Sequence, residues 1–201
     1  YSIAEPFEGY DEDLLGAGYK ANVDEEGYEY YELANGLSAY FVSYGFEETG
    51  NTIYVQEGVA TLDAFPIDEV NSFIETVIGS ENSAIAYEET EGASFMAQIE
   101  SSDMVIGVDY VYLEEAAAYA AKYEAAGFEV EYTPASDEYY PSWTCTKGKL
   151  VVDFQIEQTF DETSEEYLDE GPLYIFVYGD ETKHETQGIY LPETMSAMLS
   201  D

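Results

Sequence analysis

One histidine, His184, and one cysteine, Cys145, stand against 44 carboxylates in a chain of 201 residues. That inventory decides much of the chemistry. A metal site with two or more His ligands is impossible, and a Ser/His/Asp triad would have to rest on His184 in the polar stretch "GDETKHETQG", which reads as a solvated loop. Cys145 lies between two threonines on a strand-like run, where a small buried hydrophobe is a more natural reading than a nucleophile. No phosphate-cradling loop, nucleophile elbow or Cys-x-x-Cys occurs, so no motif calls for a cofactor.

Carboxylates remain. A glycoside hydrolase needs two of them at a set spacing in a cleft, one with its pKa raised, and pairs such as Glu114/Glu115 and Glu165/Glu166 offer the residue types. In so acidic a chain, adjacency identifies no pair, and these read first as helix-start or loop charges. Calcium is the cofactor that such charge suits better, because Ca²⁺ takes carboxylate and carbonyl oxygens in loops. The best candidate loop is "FDETSEEYLDEG", with Asp161, Glu162, Glu165, Glu166 and Asp169 as ligands, although it lacks the central Gly and alternating acids of an EF-hand.

The charge also excludes. With five lysines and no arginine, the formal charge of -39 repels phosphate backbones and anionic lipids, and no basic cluster exists to bind nucleic acid. No run of about 18 apolar residues spans a membrane. Disorder is excluded by composition, since 21 tyrosines and 10 phenylalanines accompany alternating Val/Ile runs.

Aromatic side chains are the remaining lead. Tyrosine and tryptophan offer a flat apolar face with a polar tip, suited to sugars and protein interfaces. Trp143, in "EYYPSWTCTKGK", either anchors a ligand or plugs a helix–sheet interface. The ribbon "EGYEYYELANGLSAYFVSYG" reads as a hairpin turning at Asn35-Gly36, with Leu33 opposite Ser38, Tyr31 opposite Tyr40 and Glu29 opposite Val42. Tyr31, Tyr40 and Tyr44 then share one face, and Tyr28, Tyr30 and Phe41 the other. One face should meet a helix; the other is a candidate surface.

The elements that position these residues follow from periodicity. Helices are expected over 66 to 79, with Ile67, Val70, Ile74 and Val77 as its stripe, and over 112 to 126, with Tyr112, Ala116, Tyr119, Tyr123 and Ala126 facing inward. Weaker helical patterns occupy 11 to 23 and 191 to 200. Strands are expected near 28 to 34, 37 to 44, 52 to 57, 84 to 88, 94 to 100, 103 to 111, 128 to 133, 142 to 147, 149 to 157 and 172 to 179. The strand at 149 to 157 reads as half-buried, with Asp153, Gln155 and Glu157 on a wet face.

This order predicts an α+β fold of antiparallel β-meanders, each covered by a helix, in two or three tandem helix-plus-meander units: 1–64, 65–111 and 112–201. The layout, though no motif, resembles that of PepSY-type and β-lactamase-inhibitor-protein-type modules, and the resemblance implies a binding or inhibitory role. The expected function is a non-catalytic extracytoplasmic bacterial domain that binds a protein or a glycan. The alternatives are a carboxylate-based glycoside hydrolase and a divalent-ion-dependent structural module of a surface protein. A start at Tyr1 rather than Met suggests a removed leader or anchor, and hence a secreted or surface-tethered product; a halophile's cytoplasm is the competing account of the charge.

Overall fold

The computed structural model describes residues 2–3, 9–23, 27–47, 50–88, 93–100, 102–136, 139–161, 163–164 and 166–180. His184, Glu162, Glu165 and the expected C-terminal helix lie outside them. The fold is α+β, with antiparallel sheets and three short α-helices among the described residues. Two compact units divide the chain after Thr61.

The first unit runs from β1 (Ser2–Ile3) through α1 (Tyr10–Gly16), β2 (Lys20–Val23), β3 (Glu29–Asn35), β4 (Ser38–Glu47) and β5 (Gly50–Val59). Its five strands lie in the order β1-β5-β4-β3-β2. The weak helical pattern at 11 to 23 therefore splits into a short helix and an edge strand. Gly18, at φ +95°, stands in the turn between them, a conformation that glycine adopts without strain.

The hairpin register differs from the expectation. Asn35 pairs with Ser38, Leu33 with Tyr40 and Tyr31 with Val42, so the central turn residues are Gly36 and Leu37 rather than Asn35 and Gly36. Gly36 at φ +65° takes the first central position, where both primed turn types require positive φ. The slip is two residues, an even number, and side chains alternate with period two. Tyr31, Tyr40 and Tyr44 therefore still share a face.

α1 covers that face. Leu14, Tyr31 and Val42 are buried, with Tyr10, Tyr19, Tyr44 and Ile53 packed around them.

The second unit contains β6 (Thr61–Leu62), α2 (Ile67–Phe73) continuing into a π-helical turn (Ile74–Ile78), β7 (Phe95–Glu100), β8 (Asp103–Tyr112), α3 (Leu113–Ala125), β9 (Glu129–Thr133), β10 (Ser142–Lys147), β11 (Leu150–Ile156), β12 (Phe160–Asp161), β13 (Glu166–Tyr167) and β14 (Glu170–Gly179). β12 and β13 form a small separate hairpin inside the acidic loop; the rest make one seven-stranded sheet, β6-β7-β8-β14-β11-β10-β9. The segments 65–111 and 112–201 thus contribute to a single sheet, joined where β14 pairs with β8.

Both expected helix stops hold, at Gly79 (φ +64°) and Gly127 (φ +83°). The π turn changes the stripe of the first. Val70, Phe73 and Ile74 are buried while Val77 is half exposed, because the wider turn rotates Val77 away from the face that a 3.6-residue period assigns it. α3 buries Ala116, Tyr119, Ala120 and Tyr123, and Tyr112 is left exposed beside its first turn.

Two strand expectations fail. Residues 84–88 form no strand: Ala84 N–H donates to Asn71 Oδ1 (3.0 Å), Ile85 N–H to the Tyr123 hydroxyl (3.1 Å), and the Tyr119 hydroxyl donates to the Ile85 carbonyl (2.6 Å). Side chains satisfy the backbone there, so no ladder is needed. β11 is buried on both faces rather than half-buried: Leu150, Val152 and Ile156 share the face on which Phe154 meets Tyr119 and Tyr123 of α3, and Val151 and Asp153 on the other side are also enclosed. Asp153 tolerates this because the Tyr178 hydroxyl, from the neighbouring β14, donates to its carboxylate.

Candidate functional site

Trp143 is the second residue of β10 and sits between cross-strand partners Tyr132 on β9 and Phe154 on β11. Its ring stacks on Phe154 at 5.4 Å with an interplanar angle of 20°, and Tyr132 lies against it at 5.0 Å and 35°. Burial falls off along this row: Phe154 is 1 % exposed, Trp143 6 % and Tyr132 50 %. The row leads from the core to water at the sheet edge. Trp143 therefore plugs the sheet and also forms the floor of what lies above it.

Above it lies a cleft of about 600 Å³, lined by Tyr112, Leu113, Glu114 and Ala117 of α3 and its approach, by Tyr132 and Trp143 of the sheet, and by Asp169 before β14. Ala117 leaves the space open, since a larger side chain on that turn of the helix would enter it. The helix start is fastened in two ways. Tyr112 N–H donates to Glu115 Oε2 (2.9 Å), a cap that satisfies one orphan donor, and Leu113 N–H donates to the Asp169 carbonyl (2.9 Å). The second bond places Asp169 at the mouth.

Gln158 Nε2 donates to the Leu168 carbonyl (3.0 Å) and leans toward Asp169 Oδ1 (3.4 Å). Tyr110 meets Tyr112 edge-on at 5.7 Å, and its own hydroxyl is pushed up to about 12, first by its hydrogen bond to the Glu170 carboxylate. Tyr112, one wall of the cleft, thus has Tyr110 packed against it.

A smaller cavity of about 340 Å³ opens toward the other sheet face, lined among others by Tyr139, Tyr140, Thr144, Asp153 and Gln155. Burial raises the Tyr140 hydroxyl's pKa, with the Glu157 charge adding to it. Cys145 is fully buried, and its thiol is pushed up to about 12 by burial and then by the Asp153 charge, so it is no thiolate nucleophile at neutral pH.

The three tyrosines of the hairpin serve different ends. Tyr31 is buried, 4 % exposed, and stacks on Tyr44 at 6.1 Å and 13°, while Tyr10 of α1 meets Tyr44 edge-on at 5.7 Å. Burial, then a hydrogen bond to Asp11, pushes the Tyr31 hydroxyl up to about 12. Tyr40 lies beyond the helix and is exposed. On the opposite face, Tyr30 and Phe41 pack at 6.1 Å, with Tyr28 and Tyr54 exposed. Gly58 makes room there, since a Cβ on it would stand 2.9 Å from the Phe41 ring.

In the acidic loop, Asp161 is occupied by its own turn. Its Oδ1 accepts from Thr163 N–H and its Oδ2 from the Ser164 hydroxyl, both at 2.8 Å, and these bonds hold its carboxyl below the usual range. Glu166 pairs with Asp161 through the backbone, and Asp169 lies at the aromatic cleft instead. Among the described residues, no three His, Cys, Asp or Glu side chains stand together as a metal site would require. Lys147 donates to the Ala126 carbonyl at the end of α3 (2.7 Å) and lies 5.3 Å from the Phe128 ring centroid.

Sequence reading singled out Trp143 but missed Tyr132, Ala117 and Asp169 as its neighbours in a cleft. Tyr132 and Trp143 sit on strands that were both legible, but the connection at 134–141 is long enough to leave their register open.

No protein-family model, curated protein or solved structure matches the chain. No helix among the described residues is long and apolar enough to cross a membrane.

Proposed function

We propose that the protein is a non-catalytic binding module that takes a protein or glycan partner at the cleft between α3 and the β9–β10 edge. The observation that carries this reading is the half-exposed Tyr132 packed against Trp143 at the floor of an open cleft of about 600 Å³. A rigid aromatic platform with a wet rim gives contact area at little entropic cost, as binding surfaces use it. The chain's charge of -39 keeps it soluble and selects against anionic partners. A bacterial protein secreted or tethered at the cell surface is the setting we propose, since such a module meets foreign proteins and glycans there.

Screening oligosaccharides and peptides against the chain tests this. A ligand of the cleft should lose about tenfold in affinity on Tyr132→Ala and more on Ala117→Phe, which fills the space. A partner bound equally by both variants sinks the assignment. Glu114 and Asp169 also line the cleft. Turnover of a bound glycan that disappears in Glu114→Gln would replace the binding reading with a hydrolase.

A further inference from the structure

The lining of the cleft narrows the charge of its ligand. Tyr112 and Tyr132 supply aromatic rings, whose faces are the negative part of an aromatic quadrupole, over a Trp143 floor whose own faces lie against Phe154 and Tyr132, and Glu114 and Asp169 add two exposed carboxylates. Among the described residues that line it none is a lysine, and the chain has no arginine. The two tyrosine rings and the two carboxylates therefore favour the same sign.

The positive end of α3 opposes this, but two of its leading amides, those of Tyr112 and Leu113, already donate to Glu115 Oε2 and to the Asp169 carbonyl and so do not point at a ligand as open anion donors. The chain also holds one of its own cations in this manner: the Lys147 ammonium sits 5.3 Å from the Phe128 centroid while donating to a carbonyl.

We propose that the cleft binds an organic cation, a quaternary or protonated aliphatic ammonium group on a small ligand, with the aromatic rings meeting its methyl or methylene surface and Glu114 and Asp169 meeting its charge. This rests on reading the cleft as the ligand site. A neutral sugar would use the rings but gain little from the paired carboxylates, and an anion is repelled by all of them.

Trp143 is the sole tryptophan, so its fluorescence reports on the site directly. Choline and its uncharged isostere 3,3-dimethyl-1-butanol are titrated into the full chain in about 0.15 M NaCl, which screens the general field. Choline should give a saturable change, with the alcohol about tenfold weaker or worse. Tyr132→Ala should weaken choline about tenfold, and Glu114→Gln combined with Asp169→Asn several-fold, with near-UV circular dichroism unchanged. Tyr54→Ala, an exposed tyrosine of the first unit, should leave it unaltered.

Equal affinity for the two probes, a choline response that survives Tyr132→Ala, or no saturable response overturns the cation assignment. If an oligosaccharide or peptide then perturbs Trp143 in a Tyr132-dependent way, only the ligand class was wrong. If none does, the cleft is not the binding site at all.

Discussion

The two units lay a helix on an antiparallel meander, but they use tyrosine in opposite ways. In residues 1–61 a small core of Leu14, Tyr31 and Val42 is ringed by half-buried Tyr10, Tyr19 and Tyr44, whose rings add apolar area at the rim of the core. In the second unit Tyr119 and Tyr123 are fully enclosed, and their hydroxyls need partners: each bonds the other at 3.1 Å and both reach Ile85. At a rim tyrosine extends a core that is too small. Inside a larger one it fastens a loop.

The difference predicts unequal stability, and the larger unit should show the largest single losses. Phe154 is 1 % exposed and touches Trp143, Tyr119 and Tyr123 at ring-centroid distances of 5.4, 5.1 and 6.3 Å. Phe154→Ala removes the ring on which all three pack, and should cost about 3–5 kcal/mol in denaturant unfolding. It should also expose Trp143, seen as a red-shifted emission. A cost under about 1 kcal/mol would mean that the row is not the core of its unit.

Tyr31→Ala should cost somewhat less, about 3 kcal/mol, because so small a core can partly collapse around the site or admit water. Its signature is locality. Hydrogen exchange should quicken in residues 29–44 and hold steady in 150–156 and 173–179. Equal acceleration in both would show that the units share one cooperative transition, and the comparison would lose its energetic content.

Much of this was legible in the residues themselves. Gly79 and Gly127 end helices because positive φ suits only glycine there, and the period of two assigned the hairpin faces correctly even though its register was off by two. What was not legible depends on partners far away in sequence. Residues 84–88 look like a strand until Tyr119 and Tyr123, more than thirty positions on, supply the hydrogen bonds that a sheet would have given. Asp153 looks solvated until Tyr178 arrives on the next strand. The cleft was half legible for the same reason: Trp143 announces itself by type, while Tyr132, Ala117 and Asp169 come to it through register and loop closure.

Alkali should separate the two uses of tyrosine. Burial pushes Tyr123 up to about 12 from an ordinary value near 10, and Tyr119 is raised as well. Between those pH values the unfolded chain releases phenolic protons that the fold retains, so stability falls as pH rises from about 10 through about 12 and is fully present below 10. For Tyr123 the loss is on the order of 2 kcal/mol. Absorbance at the phenolate band should show Tyr119 and Tyr123 ionising only with unfolding. A single smooth titration without an unfolding step would contradict their burial.

Gly36→Ala is the smallest and cleanest test of the first unit. A Cβ at this position meets nothing within 4 Å, so packing contributes no penalty. Only the backbone objects, because φ of +65° costs an L-residue with a side chain about 1 kcal/mol. The loss should appear in hydrogen exchange of residues 29–44 alone. Asparagine at the same position should recover part of it, because its short polar side chain bonds locally and tolerates left-handed φ. A neutral alanine would mean that position 36 does not hold positive φ and would overturn the Gly36-Leu37 turn; an Asn35-Gly36 type I′ turn would not explain it, because that turn also needs positive φ at its second central residue. The pairing of Tyr31 with Val42 against Leu14 rests on the Gly36-Leu37 turn, so it is what this substitution probes.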